Sequence, residues 1–224
     1  MENLKIIFNP TNKNIEDIKK WGLEKTHLHS SFRNKKLVVA EYNNDTIGFY
    51  CLSAIRNDII IEIETAEVKN EYRNKGIGKK MFQEIFKKYK NKKYYCFTLH
   101  CSPKESKFYW LKLGFKYFPE NINSDKVEMF KAIKDINETI TESELYPNTI
   151  EIIDDYETSY KWKFEVKENT NELISPIVFF GNYKWRMILT KESEILYNEP
   201  YNDFDNKNDV DSCIFIASIP EKHM

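Results

Sequence analysis

The stretch from Ile59 to Tyr89, IIIEIETAEVKNEYRNKGIGKKMFQEIFKKY, constrains the fold more than any other part of the chain. Its β-branched start, Ile59 to Ile63, alternates with Glu62 and Glu64 and reads as a strand, ending near Val68, with one apolar face and two carboxylates on the other. Met81, Phe82, Ile85, Phe86 and Tyr89 then recur at helical spacing with lysines between them, an amphipathic helix. Between the two lies a turn carrying Arg73, Asn74, Lys75, Gly76, Ile77, Gly78 and Lys79, with the helix expected to open at the second glycine.

A helix start exposes backbone N–H groups whose dipoles point outward, which suits a phosphate. Glycines let a ligand approach the backbone closely, and Lys75, Lys79 and Lys80 add positive field. Glycine supplying φ > 0 in a plain strand-to-helix turn explains the same residues with no ligand at all. A Walker loop is excluded because Arg73 stands where glycine is needed. The dinucleotide fingerprint is excluded because Met81 stands where a small residue is needed.

The pattern Arg-x-x-Gly-x-Gly after a strand resembles the pyrophosphate-binding motif of the GNAT superfamily of acyl-CoA N-acyltransferases. The resemblance covers roughly residues 1–134 and extends to three later segments: YYCFTLHC (94–101) as the next strand, SKFYWLKLGF (106–115) as the following helix, and KVEMFKA (126–132) as the closing strand. It implies an α/β (α+β) domain with a mixed, mostly antiparallel central sheet flanked by helices, and acetyl-CoA as acyl donor. Ala66 and Val68 would border the pantetheine arm, Arg73 to Lys79 the pyrophosphate, and Ser106 would join them. Glu62 lies eleven residues before Arg73, the spacing at which histone-acetyltransferase members place a general base, and a carboxylate in a partly dry cleft suits that work. Solvent-exposed alternation is the simplest reading of Glu62 and Glu64 from the residues alone. The resemblance makes Trp21, Phe32 and Glu64 acceptor contacts, together with His27 and His29, whereas the residues alone also allow Trp21 as core and the histidines as surface loop. His100, near the same gap, reads as an acid, a base, a substrate contact or a packed histidine.

The following helix departs from the family pattern: the asparagine that often holds the cofactor falls on Pro103. The family's general-acid tyrosine falls on Trp110, whose indole cannot supply that proton. Tyr109 is adjacent but about 100° around the helix, so it replaces the hydroxyl only if the helix is shifted or rotated. This keeps open an alternative, a catalytically weak or inactive CoA-binding protein.

Elsewhere, Leu4 to Phe8 reads as a first strand, and Thr11 or Asn14 as the cap of a helix through about Leu23. Lys36–Tyr42 and Thr46–Ile55 form a hairpin across Asn43-Asn44-Asp45, with a second turn at 56–58. The four cysteines and four histidines show no metal spacing, so reduced thiols and no metal are expected. No apolar run reaches the roughly 20 residues of a membrane helix, and the N-terminus lacks a leader pattern, so a cytoplasmic protein is expected.

The net charge of −1 hides a division. Residues 1–134 carry 26 Lys and Arg against 16 Asp and Glu (+10), whereas 135–224 carry 8 against 19 (−11). This marks a boundary between a GNAT-like domain, 1–134, and a small β-rich acidic domain, 135–224. In the latter, four strands are expected at 160–166, 177–180, 184–189 and 213–217, and SPIVFFGNYKWRMIL resembles the opening of a MATH-type sandwich. An acidic module draws cations, so polyamines, aminoglycoside-like amines or protein lysines are the acceptors expected. A protein partner on that domain belongs with the alternative. The lysines of 1–134 come without an aromatic RNA motif, so nucleic acid is not an expected partner.

Overall fold

The computed structural model describes residues 3–21, 26–55, 59–118, 127–140, 146–153, 158–180, 186–200 and 213–219. The chain divides into two compact units, Met1–Tyr117 with Ser124–Lys134, and Phe118–Asn123 with Asp135–Met224.

The first unit contains strands β1 (Lys5–Ile7), β2 (Leu37–Tyr42), β3 (Asp45–Ile55), β4 (Ile60–Val68), β5 (Cys96–Cys101), β6 (Lys116–Tyr117) and β7 (Val127–Ala132). Its helices are α1 (Asn12–Lys19), α2 (Thr26–Arg33), α3 (Ile77–Tyr89) and α4 (Lys107–Lys112). The sheet order is β1-β2-β3-β4-β5-β7-β6, antiparallel throughout except between β4 and β5. Strands β2 and β3 are buried on both faces. Leu37, Val39, Phe49 and Cys51 join Ile15, Ile18 and Leu28 of the first two helices in one core. Val38, Tyr50 and Leu52 join Met81, Phe82, Ile85 and Trp110 of the last two in another. Burial on both faces is why these strands read as continuous apolar runs.

Local chemistry fixes the connections. Asn43 and Asn44 both take positive φ, 51° and 66°, between β2 and β3, a two-residue hairpin loop that asparagine tolerates. Thr11 caps α1, and the Asn14 side chain accepts the Thr11 backbone N–H at 2.8 Å. The expected extension of α1 to Leu23 does not occur: the helix stops at Lys19, and residues 22–25, like the turn expected at 56–58, lie outside the described residues. His27 and His29 lie on α2, in a segment whose weak periodicity hid a helix.

The second unit holds β8 (Thr149–Ile153), β9 (Ser159–Lys163), β10 (Glu172–Phe180), β11 (Arg186–Lys191), β12 (Glu194–Pro200) and β13 (Cys213–Ser218). These make a four-stranded antiparallel sheet, β12-β11-β8-β9, and a two-stranded one, β10-β13. One cluster, with Ile150, Trp162, Phe179, Met187, Leu189 and Ile216, takes side chains from both sheets. Of these strands, β8 and β12 are additional to the four expected.

Candidate active site

The turn between β4 and α3 forms one end of a cleft of about 920 Å³. Gly76 caps α3 at φ 76°, and Lys80 N–H makes the first helical bond to its carbonyl at 3.0 Å. The helix therefore opens at Ile77, one residue before the expected start, and the N–H groups of Ile77, Gly78 and Lys79 precede its hydrogen-bonded ladder. A Cβ on Gly76 would meet nothing within 4 Å, whereas one on Gly78 would come within 2.6 Å of Tyr109 Oη. So the first glycine is required by its dihedral angle and the second by contact. This open, positively polarised cradle fits a pyrophosphate. Arg73 is committed to the turn itself: Nε donates to the Val68 carbonyl at 2.9 Å and Nη2 to Glu67 Oε2 at 3.1 Å. Asn74 and Lys79 line the cleft. Lys75 is absent from the lining, its ammonium 5.2 Å from the Tyr72 ring centre.

The other end is a fork. β4 and β5 pair from Ile60–Cys96 to Ile63–Leu99, and no further pair joins them among the described residues. Beyond that point the β4 edge facing β5 is open, and Ala66 and Val68 border the cleft there. An open edge can pair with an extended ligand as with another strand. A bulge sits at the same point. Leu52 pairs with Ile63 but Cys51 pairs with Thr65, so Glu64 is an extra residue in β4. After it, Ala66 and Val68 take the α3 side, a shift that strict alternation from Glu62 does not give.

Glu62 and Glu64 both line the cleft, as do His100 and Ser106. Glu62 Oε2 accepts a long contact from Ser53 Oγ at 3.5 Å. Glu64 Oε2 is shut off from solvent and stands 3.1 Å from His27 Nδ1, near enough for an ion pair but without hydrogen-bond alignment.

Tyr109 and Trp110 settle into different roles. Trp110 is buried, with its ring edge-on to Tyr50, Phe82 and Phe115. The Tyr109 hydroxyl reaches the cleft and lies 3.1 Å from that of Tyr50. Tyr50 spends its one proton on the Gly78 carbonyl at 3.2 Å, so Tyr109 is the donor between them. Burial raises the pKa of both tyrosines, well above the ordinary value for Tyr50. For Tyr109 the hydrogen bond to Tyr50 partly opposes the rise. Tyr50 was not singled out in the sequence, where it looks like any aromatic residue of a buried strand.

Trp21 and Phe32 are not part of this cleft. Both pack against the core beneath α1 and α2, with the Trp21 and Phe49 ring centres 5.6 Å apart. Trp21 instead borders a separate cavity of about 460 Å³.

The sequence profile of the Acetyltransferase (GNAT) family matches residues 4–115, which is half of the 224 residues. By sequence, no curated protein matches the chain. Among solved structures, Ard1 from Thermoplasma volcanium is similar at 15% identity and TM-score 0.49, covering 59% of this chain and 99% of that one. The PaiA N-acetyltransferase from Thermoplasma acidophilum, in complex with coenzyme A, is similar at 22% identity and TM-score 0.44, covering 58% and 98%. Naa50 from Arabidopsis thaliana, in complex with the bisubstrate analogue CoA-Ac-MVNAL, is similar at 16% identity and TM-score 0.47, covering 58% and 98%. With the profile running from the approach to β1 through α4 and the glycine turn inside it, the chain belongs to the GNAT acetyltransferase family, whose acyl donor is acetyl-CoA.

Proposed function

We propose that this protein is an N-acetyltransferase that moves an acetyl group from acetyl-CoA directly to a primary amine. The observation that carries this reading is that one cleft joins the glycine turn, the open edge of β4 and the carboxylate of Glu62. The N–H groups of residues 77–79 hold the pyrophosphate, and the β4 edge at Ala66 and Val68 aligns the pantetheine arm. Glu62 takes a proton from the acceptor ammonium. The freed amine attacks the thioester carbonyl, the N–C bond forms, the C–S bond breaks, and the nitrogen gives up its second proton to solvent. The Tyr109 hydroxyl turns its proton from Tyr50 Oη to the departing sulfur and donates a hydrogen bond there. Its raised pKa favours that donation over full proton transfer, and solvent supplies the last proton. A hydroxyl in the cleft supports catalysis over the non-catalytic alternative, which rested on Trp110.

Calorimetric titration with acetyl-CoA and CoA tests the donor half, and amine-dependent thiol release tests the reaction. Wild-type protein should bind both nucleotides and Gly76→Asp, which places a carboxylate in the cradle, should bind neither. Wild-type protein that binds neither overturns the reading.

A further inference from the structure

The acceptor end of the cleft carries more negative charge than one acetyl transfer requires. Building on the reading above, we propose that the acceptor is a diamine, with Glu62 meeting the amino group that reacts and Glu64 binding a second, charged one.

The charges lining the cleft are segregated. Its Lys and Arg members, Arg73 and Lys79, belong to the phosphate turn, where Arg73 is bridged to Glu67. Around the fork the charged lining is Glu62 and Glu64, with His27 and His100 beside them and no Lys or Arg among the described lining residues. Plain alternation sets the two carboxylates on one face, and the bulge keeps them there while turning Ala66 and Val68 to the other. Opposite residues of a ladder share a face, so Glu62 follows Ser53 and Thr65 follows Cys51 to the α1–α2 side. Glu64, the extra residue beside Thr65, reaches His27 of α2 on that side.

One carboxylate suffices to take the proton. The other, Glu64, has its side chain 17% exposed and one oxygen shut off from water. A carboxylate so placed is costly without a cationic partner. His27, 48% exposed, fills that role only when protonated. An ammonium group on the acceptor fills it at any pH where the amine is charged. Alternate strand residues lie on the order of 6 Å apart, which matches amino groups at the ends of a three- or four-carbon chain.

Initial rates of thiol release at saturating acetyl-CoA decide the matter, with diaminopropane and diaminobutane compared against propylamine and butylamine. In the wild-type protein, kcat/KM for the diamines should exceed that for the monoamines by about 10- to 100-fold, the range of a charge-assisted contact. Glu64→Gln should raise the diamine KM by a similar factor, keep kcat, and alter the monoamine constants by much less. Equal wild-type rates for mono- and diamines overturn the proposal while acetyl transfer to amines stands. So does a Glu64→Gln variant in which both kinds of amine lose equally, since that marks a merely structural residue. If the wild-type protein turns over no amine, the proposed function fails and the diamine inference fails with it.

Discussion

The two ends of the cleft are built from different materials. The end proposed for the phosphates is mostly backbone: N–H groups at a helix start, a cap held at φ 76°, and an arginine spent on bracing the turn. The acceptor end is side chains, two carboxylates, two histidines and a tyrosine hydroxyl from four elements, α2, β4, β5 and α4. A backbone site tolerates most substitutions because every residue offers an N–H, whereas a side-chain site fails with a single atom exchanged. The contrast predicts where mutations cost chemistry and where they cost only stability.

The largest effect should come from Glu62→Gln, which is nearly isosteric but cannot take the proton. We expect kcat to fall by about 10²- to 10⁴-fold, with calorimetric affinity for CoA unchanged. Equal loss of both would erase the distinction between the ends. Gly78→Ala sits where they meet: its Cβ would press within 2.6 Å of Tyr109 Oη. Displacing that hydroxyl by about an ångström should lower kcat on the order of 10²-fold, with a smaller change in CoA affinity. Gly76→Ala fills open space but keeps the left-handed dihedral, so it should cost about 1–2 kcal/mol of stability, read by thermal melting, with kcat retained. Last is an alkaline effect, confined to pH above about 10. Burial raises the pKa of Tyr50, and that of Tyr89 to about 12. The unfolded chain thus ionises these groups first. Stability should hold below about pH 10 and decline as pH rises beyond it, and Tyr89→Phe should soften the decline.

The same contrast explains what the sequence disclosed. Gly76 and Gly78, the apolar stripe of α3 and the Asn43-Asn44 loop act through local backbone preferences, so their spacing is visible along the chain. The acceptor end depends on tertiary placement. The bulge leaves no mark in IEIETAEV, where plain alternation is the simplest reading. Spacing along a regular helix turns Tyr109 about 100° away from the expected position, but α4 is six residues long and follows a 3-10 turn at Lys104–Ser106. His27 lay in a segment read as loop, and Trp21 and Phe32 turned inward because Phe49 and its neighbours needed covering. In the second unit, β8 and β12 escaped notice because TIEII is short and EILYNEP polar, so neither carries a sustained alternation.

The bulge also bears on how this chain can change by insertion and deletion. In a regular strand, losing one residue turns every later side chain over to the opposite face. Glu64 is the exception in β4, because the ladder already skips it, joining Leu52 to Ile63 and Cys51 to Thr65. Loss of that single codon would close the ladder while Ala66, Val68 and the glycine turn keep their orientation. On the proposed reading, one in-frame deletion would thus change acceptor contacts without rebuilding the sheet or the donor site.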